Sequence, residues 1–133
     1  MLENGHVATR IPVQDMDRAR AFYADKLGLV PVEERPGGLL YRCASGEFAL
    51  FESAGASPGT FTQMAFTVDD IVATVTELRS HGVVFEQVNV SGLTTVDDIA
   101  EVAGNDPSRG LAERAAWFRD SEGNMLGVGQ PTR

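Results

Sequence analysis

The sequence predicts an α+β domain built from two βαβββ modules in a pseudo-twofold arrangement, each module forming half of a cup-shaped mixed sheet. The order strand, helix and three strands occurs twice, and a glycine ends each predicted helix. A length of 133 residues with 43% hydrophobic content fits one compact domain. We expect a single domain over 1–133, with module one at about 1–56, a linker at about 53–60 and module two at about 61–133.

Module one begins with a strand over 6–13, in which alternate positions separate an apolar face from a mixed face. Asp15 is a typical N-cap for the helix that follows at 16–27, where apolar residues recur at helical spacing, and Gly28 ends that helix. Three more strands are predicted at 29–34, 39–44 and 47–52.

Module two follows a linker that is rich in small residues and proline. A strand is predicted at 61–68, and Asp69 or Asp70 caps a second helix that Gly82 ends. Further strands are predicted at 84–90, 112–119 and 124–129. The second half therefore repeats the element order of the first half.

One segment, 91–111, breaks the repeat. It spans about twenty residues with weak periodicity, which is longer than an ordinary connection. Residues 95–102 are predicted to form a short helix, with Asp97 and Asp98 near its start. The segment is interpreted as a lid or an interface arm, and a surface insertion without a role remains an open alternative.

The charge and cysteine content limit the class of partner. Eleven basic and 19 acidic residues give a net charge of −8, which repels nucleic acid and anionic membrane surfaces. Cys43 is the single cysteine, so we expect no intrachain disulfide. The N-terminus does not resemble a signal peptide, and no apolar run is long enough to cross a bilayer. These features predict a cytoplasmic protein with neither nucleic acid nor membrane as a partner.

Two motifs resemble those of a known superfamily. The first motif comprises Val13, Asp15, Ala19, Phe22, Tyr23, Leu27, Gly28 and Leu29. The closing motif comprises Phe118, Asp120, Gly123 and Asn124. Together they resemble the vicinal-oxygen-chelate superfamily of glyoxalases, bleomycin-resistance proteins and extradiol dioxygenases. The resemblance implies a shared metal site in the metal-dependent members. There, one side chain from the first strand and one from the fourth strand of each half bind a divalent ion.

The positions that correspond to those metal ligands lack suitable donors. Counting seven residues back from each helix cap gives Ala8 and Gln63, and aligning the strands after Gly46 and Gly123 pairs Leu50 with Gly127. Alanine, leucine and glycine offer no side-chain donor, and a single amide oxygen is a weak ligand. We therefore predict a metal-free branch of the superfamily with no metal and no cofactor. A displaced metal site that uses His6, Glu52 and Gln63 remains an alternative.

An empty cup predicts a pocket for a small organic ligand. Strand alternation and aromatic content select the candidate binding residues, although the sequence does not decide whether Tyr41 and Phe118 or Leu40 and Trp117 face the cup. These candidates are His6, Arg10, Tyr41, Phe48, Leu50, Glu52, Phe61, Gln63, Trp117, Phe118 and Met125. The resemblance implies a homodimer that sequesters a bulky or aromatic natural product, as bleomycin-resistance proteins do.

Two other interpretations remain open. The chain could instead be a metal-independent lyase, isomerase or cyclase in which His6, Glu52, Arg10 or Tyr41 transfers protons. The sequence shows no convergent acid and base, so no catalytic residue is assigned. Alternatively, the apolar candidates could fill a closed core and leave no pocket.

Overall fold

The computed structural model describes residues 1–103 and 112–132. In these residues the chain forms the helices α1 (Met16–Leu27) and α2 (Ile71–Ser80). The strands are β1 (Thr9–Val13), β2 (Glu33–Arg35), β3 (Gly38–Arg42), β4 (Glu47–Glu52), β5 (Met64–Thr67), β6 (Asn89–Val90), β7 (Leu93–Val96), β8 (Ile99–Val102), β9 (Glu113–Arg119) and β10 (Met125–Pro131). A short 3-10 turn occupies Leu2–Asn4. The predicted α+β class is confirmed.

The strands form two mixed sheets with related topology. Sheet one has the order β1-β4-β3-β2, and sheet two has the order β5-β10-β9-β8-β7-β6. In each sheet the first strand pairs in parallel with the last strand of its module, and the other pairings are antiparallel. The pseudo-twofold repeat that the sequence predicts is therefore present in the order of the strands.

The helix ends follow the predicted capping residues. The Asp15 carboxylate accepts a hydrogen bond of 3.0 Å from the Arg18 backbone N–H, and Asp70 serves α2 in the same way. Gly28 adopts a left-handed conformation with φ of 69°, which ends α1 at little steric cost. Among the described residues, neither helix has the length and hydropathy needed to cross a membrane.

Module two has more strands than the predicted βαβββ order. The chain after α2 contacts β9 only briefly, through a bridge between Phe85 and Phe118, and then continues into β6. The helix predicted at 95–102 is wrong, because β7 and β8 form a hairpin there. Asp97 and Asp98 have φ values of 52° and 70°, the conformation of a two-residue turn whose twist matches that of the flanking strands. Of the predicted 91–111 segment, residues 104–111 lie outside the described part.

The core lies between the helix-covered faces of the two sheets. Tyr23 of α1 packs against Tyr41 of sheet one with ring centroids 5.6 Å apart. Phe48 on the same face contacts Phe66 of sheet two edge-on at 6.0 Å. Both sheets thus contribute to one apolar cluster. Since one face of each sheet is used in this way, the opposite faces lie on the outside of the chain.

Candidate ligand-binding site

The outer face of sheet one is called open face one. It is defined by Arg10, Pro12, Leu40, Ala49 and Phe51, because the strand register places Ala49 between Arg10 and Leu40 and sets Pro12 beside Phe51. These side chains are partly or fully exposed, whereas the residues that alternate with them in the middle of the strands are buried: Ile11, Val13, Leu39, Tyr41, Phe48 and Leu50. A shallow depression of about 280 Å³ lies over part of this face. Of the predicted binding residues, Arg10 lies on open face one, and His6 lines a second depression of about 490 Å³ with Arg10, Leu40 and Ala49.

Three predicted binding residues of module one face the core instead. Tyr41, Phe48 and Leu50 are buried under α1, and the Tyr41 and Phe48 rings stack at 5.0 Å. The Tyr41 hydroxyl has no hydrogen-bond partner among the described residues, and burial raises the Tyr41 pKa. The prediction that these side chains line the cup is wrong, and the alternative of a filled core holds for them.

The error arises from the length of two hairpins. In module one the Cys43 N–H donates to the carbonyl of Gly46, whereas in module two the Asp120 N–H donates to the carbonyl of Asn124. The second loop is thus one residue longer, so aligning the glycines shifts the strand comparison by one. Because side chains alternate along a strand, a shift of one residue moves each to the opposite face. Ala49, rather than Leu50, corresponds to Gly127.

The outer face of sheet two is called open face two. Its members share the side of the sheet away from α2: they are Gln63, Ala65, Thr67, Glu113, Ala115, Trp117, Arg119, Met125, Gly127, Gly129 and Pro131. A Cβ on Gly127 would lie 3.5 Å from Trp117 Cδ1, so the indole ring lies against this glycine. Phe118 faces the core and packs on Phe85 at 5.7 Å, which resolves the open alternative in favour of Leu40 and Trp117.

Gln63 presents an acceptor on open face two. Its backbone N–H donates to Met125 at 2.8 Å, which fixes the side chain beside β10. The side-chain oxygen Oε1 is buried and has no hydrogen-bond donor within the described part of the chain. Phe61, by contrast, precedes β5 and is exposed. The sequence analysis missed Glu113, which strand alternation from Trp117 along β9 would have found.

The residues present do not fit the divalent ion that the family resemblance implies. Ala49, which the corrected alignment pairs with Gly127, offers no metal-binding side chain, and neither does Gly127. Leu50, the residue that the sequence comparison had paired with Gly127, offers none either. His6 precedes β1, while Glu52 pairs with Val13 at the far end of that strand. At roughly 3.3 Å per residue, His6 and Glu52 are more than about 13 Å apart along the strands, so the displaced site is also wrong. Within 1–103 and 112–132, no three His, Cys, Asp or Glu side chains cluster.

The two sequence motifs meet at the junction between the modules. Asp120, after β9, accepts a hydrogen bond from the Tyr23 hydroxyl of α1 at 2.7 Å. Glu122 accepts from the backbone N–H groups of Gln14 and Asp15 and from the Arg18 guanidinium, all at 2.8–2.9 Å. The bonds from Arg18 lower the Glu122 pKa to about 2. These contacts fix how the open faces are oriented relative to each other.

Solved structures of similar fold include proteins with different descriptions. TnmS3, an antibiotic binding protein from Streptomyces sp. CB03234, is 22% identical with a TM-score of 0.65, over 96% of this chain and 97% of its own. The bleomycin resistance determinant encoded on transposon Tn5 is 18% identical with a TM-score of 0.66, over 98% and 100%. A virulence protein from Salmonella typhimurium is 17% identical with a TM-score of 0.69, over 99% and 100%. At these identities the likeness shows the fold alone.

No curated protein sequence matches the chain significantly. The sequence profile of the Glyoxalase/Bleomycin resistance protein/Dioxygenase superfamily, however, matches residues 5–128. That range includes both motifs, both helices and most of both sheets. The chain therefore belongs to the glyoxalase, bleomycin resistance protein and dioxygenase superfamily.

Proposed function

We propose that the protein is a homodimer that binds a bulky or aromatic organic compound, without a metal ion and without chemical change. Each pocket is formed by open face one of one copy and open face two of its partner. The packing of the two sheets carries this proposal. Because Phe48 and Phe66 join the helix-covered faces in one core, the two open faces of a single chain point away from each other.

The sheet edges support the same assembly. β1 is the terminal strand of sheet one, and β5 is the terminal strand of sheet two. Terminal strands leave backbone groups available for pairing with another chain. A second copy that aligns its β5 with β1 would join the two sheets and bring the open faces together as one cup. Formation of the pocket would then depend on dimerisation.

The composition of the open faces supports an apolar, aromatic ligand. Leu40 and Phe51 contribute apolar surface on open face one, and Trp117 and Met125 do so on open face two. The two faces carry a small number of polar side chains, of which Arg10 is one. This composition is typical of small-molecule pockets, in which a few polar groups orient an apolar ligand. Two proteins of similar fold, the antibiotic binding protein TnmS3 and the Tn5 bleomycin resistance determinant, support sequestration as the role.

The arrangement of the titratable candidates argues against the enzyme alternative. General acid–base catalysis needs an acid and a base within hydrogen-bond reach of one substrate atom. Tyr41 is enclosed in the core, and His6 and Glu52 lie at opposite ends of the β1–β4 pair. Arg10, the remaining candidate, lines a depression on open face one together with His6, but neither Glu52 nor Tyr41 lines that depression.

A ligand screen tests the binding function. Bleomycin, an anthracycline and a mitomycin are added separately to protein purified without chelators, and thermal unfolding is followed by mass analysis of the recovered compound. At a ligand concentration of about 100 times Kd, binding stabilises the native state by about 2.7 kcal/mol, which raises Tm measurably. We expect at least one compound to raise Tm and to be recovered unchanged. Modified compound, or stoichiometric metal in the protein, would contradict the proposal.

Mixing two defective variants tests whether the pocket is shared between chains. Phe51→Glu places a charge on open face one, and Gly127→Leu fills the space beside Trp117 on open face two. Each homodimer should lose binding at both pockets. A heterodimer of the two variants has one pocket with both changes and one pocket with neither, so half of the sites should recover. If pockets formed within one chain, every pocket would carry one change and no binding would return.

A further inference from the structure

Glu113 occupies a place on open face two that only glycine at position 129 allows. Glu113 lies opposite Pro131 in the register, and Gly129 is the next residue on the same face of β10. A Cβ on Gly129 would lie 2.8 Å from Glu113 Oε2 and 3.5 Å from its Cδ. The first distance is shorter than real Cβ contacts, so any side chain at position 129 would displace the carboxylate. The absence of a side chain at Gly129 therefore leaves room for a negative charge beside β10.

Open face two carries a further acceptor and an aromatic ring besides the carboxylate. Gln63 Oε1 on the same face is buried and lacks a donor within the described residues. Trp117, four residues along β9 on the same face, contributes an aromatic ring, which attracts cations through its electron-rich face. Arg119 lies on the same face six residues from Glu113, where it is held at 3.4 Å from Glu86 and donates to the Gly59 carbonyl at 3.1 Å.

The net charge acts in the same direction. A chain with a net charge of −8 attracts cationic molecules at long range and repels anionic ones. On the opposite face of sheet two, Arg114 lies 3.7 Å from Glu101, so the neighbouring cation of β9 is directed away from open face two. The part of open face two around Glu113 therefore differs in charge from open face one, where Arg10 lies.

We propose that open face two selects planar organic cations, whose ammonium or guanidinium group binds the Glu113 carboxylate while the ring lies beside Trp117. Gly129 is then a specificity-determining residue, because its lack of a side chain leaves the space that the carboxylate occupies. This inference rests on the proposed function and adds the charge of the ligand to it.

The test compares two planar probes that differ in charge. Proflavine is a cation at neutral pH and phenazine is neutral. Trp117 is the one tryptophan of the chain, so quenching of its fluorescence reports binding at open face two. In Glu113→Gln, the loss of a charge-assisted bond should weaken proflavine binding about ten- to hundredfold and leave phenazine binding within about twofold. Glu101→Gln is the matched control, because it removes the same charge from the opposite face of the neighbouring strand.

A second variant separates the position of the charge from its presence. Gly129→Ala retains Glu113 but displaces its carboxylate. It should weaken proflavine binding in the wild-type background and should have little further effect when combined with Glu113→Gln, since both changes then act on one interaction. Equal losses in both backgrounds would show that the added methyl group obstructs the ring, and the role assigned to Gly129 would be wrong.

The remaining outcomes also decide the proposal. If phenazine and proflavine bind wild type equally and Glu113→Gln changes neither, the proposed function stands and the charge selection is wrong. If Glu101→Gln weakens proflavine as much as Glu113→Gln does, net charge rather than this carboxylate is responsible. If Glu113→Gln loosens the dimer without changing the ratio of the two affinities, Glu113 pairs with the partner chain. Failure of both probes to quench Trp117 would overturn the pocket itself.

Discussion

The Tyr23 hydroxyl donates a 2.7 Å hydrogen bond to Asp120, a residue 97 positions further along the chain. Tyr23 is fully buried, and burial raises its pKa, so the hydroxyl remains a donor. Asp120 also accepts from the backbone N–H groups of Glu122 and Asn124 at 2.8 and 3.0 Å, and from the Asn124 side chain. One buried carboxylate thus joins α1 of module one to the β9–β10 turn of module two.

Removing the Tyr23 hydroxyl should destabilise the protein. Tyr23→Phe leaves the buried Asp120 carboxylate with one donor fewer, which should lower the free energy of unfolding by about 1–3 kcal/mol in a urea titration. Tyr41→Phe is the matched control, because the Tyr41 hydroxyl is buried without a partner among the described residues. That change should leave stability equal or slightly increased. Equal losses in both variants would show that the Asp120 bond is not the source of the effect.

Glu122 should make the protein sensitive to acid. Its pKa falls from an ordinary value of 4.5 to about 2 in the folded protein, chiefly because Arg18 binds the carboxylate. Because the pKa of Glu122 is lower in the folded than in the unfolded chain, its ionised carboxylate stabilises the protein at any pH above the unfolded pKa. This contribution is lost as the pH falls from about 5 towards about 2. At about 1.4 kcal/mol per pKa unit, the loss amounts to about 3 kcal/mol.

The acid effect is measured as the free energy of unfolding between pH 7 and pH 2.5. Glu122→Gln should be less stable than wild type at pH 7, and the difference should shrink at low pH. Glu101→Gln changes an exposed carboxylate on sheet two and should follow the wild-type curve. A constant difference between wild type and Glu122→Gln across this range would contradict the assigned role.

The sequence could predict the features that depend on local chemistry. Asp15, Asp70 and Gly28 were recognisable as helix ends because capping needs particular side chains at fixed positions. The two motifs were recognisable as a pair, although their purpose was not. Tyr23 and Asp120 are distant in sequence, and their hydrogen bond becomes apparent only once the modules are packed.

The face of each strand was harder to predict, since it depends on loop length. Gly46 and Gly123 both have φ near 85°, and both occupy turns, so their alignment was reasonable. The extra residue before Asn124 nevertheless inverted the comparison and placed Leu50 on the wrong face. The helix at 95–102 was predicted from Asp97 and Asp98, because this pair indicates a helix start as readily as a hairpin turn.

The Asp97–Asp98 turn gives a prediction about backbone conformation. Asp97 has a φ of 52°, which glycine adopts at less cost than a residue with a Cβ. Asp97→Gly should raise the free energy of unfolding by up to about 1 kcal/mol, because it removes the steric cost of a Cβ at positive φ. The hydrogen bond from the Arg79 guanidinium should persist, because its acceptor is the Asp97 backbone carbonyl. Asp97→Val should lower it by about 1–2 kcal/mol, because β-branched residues rarely adopt positive φ. If both variants were destabilised alike, the Asp97 side chain itself would be required.

The observed register of β4 places Leu50 and Phe51 on opposite faces of sheet one and predicts that they have separate roles. Leu50 is fully buried in the core, so Leu50→Ala should lower the free energy of unfolding by about 2–5 kcal/mol. Its effect on ligand affinity should be small at temperatures where the variant is folded. Phe51 lies on open face one and is partly exposed, so Phe51→Ala should weaken binding while costing less stability than Leu50→Ala does. Calorimetric titration with the compound found in the ligand screen, together with urea unfolding, measures both quantities. Aligning Gly46 with Gly123 instead places Leu50 on the ligand-binding face, so it predicts the opposite result: Leu50 would control affinity and Phe51 would control stability.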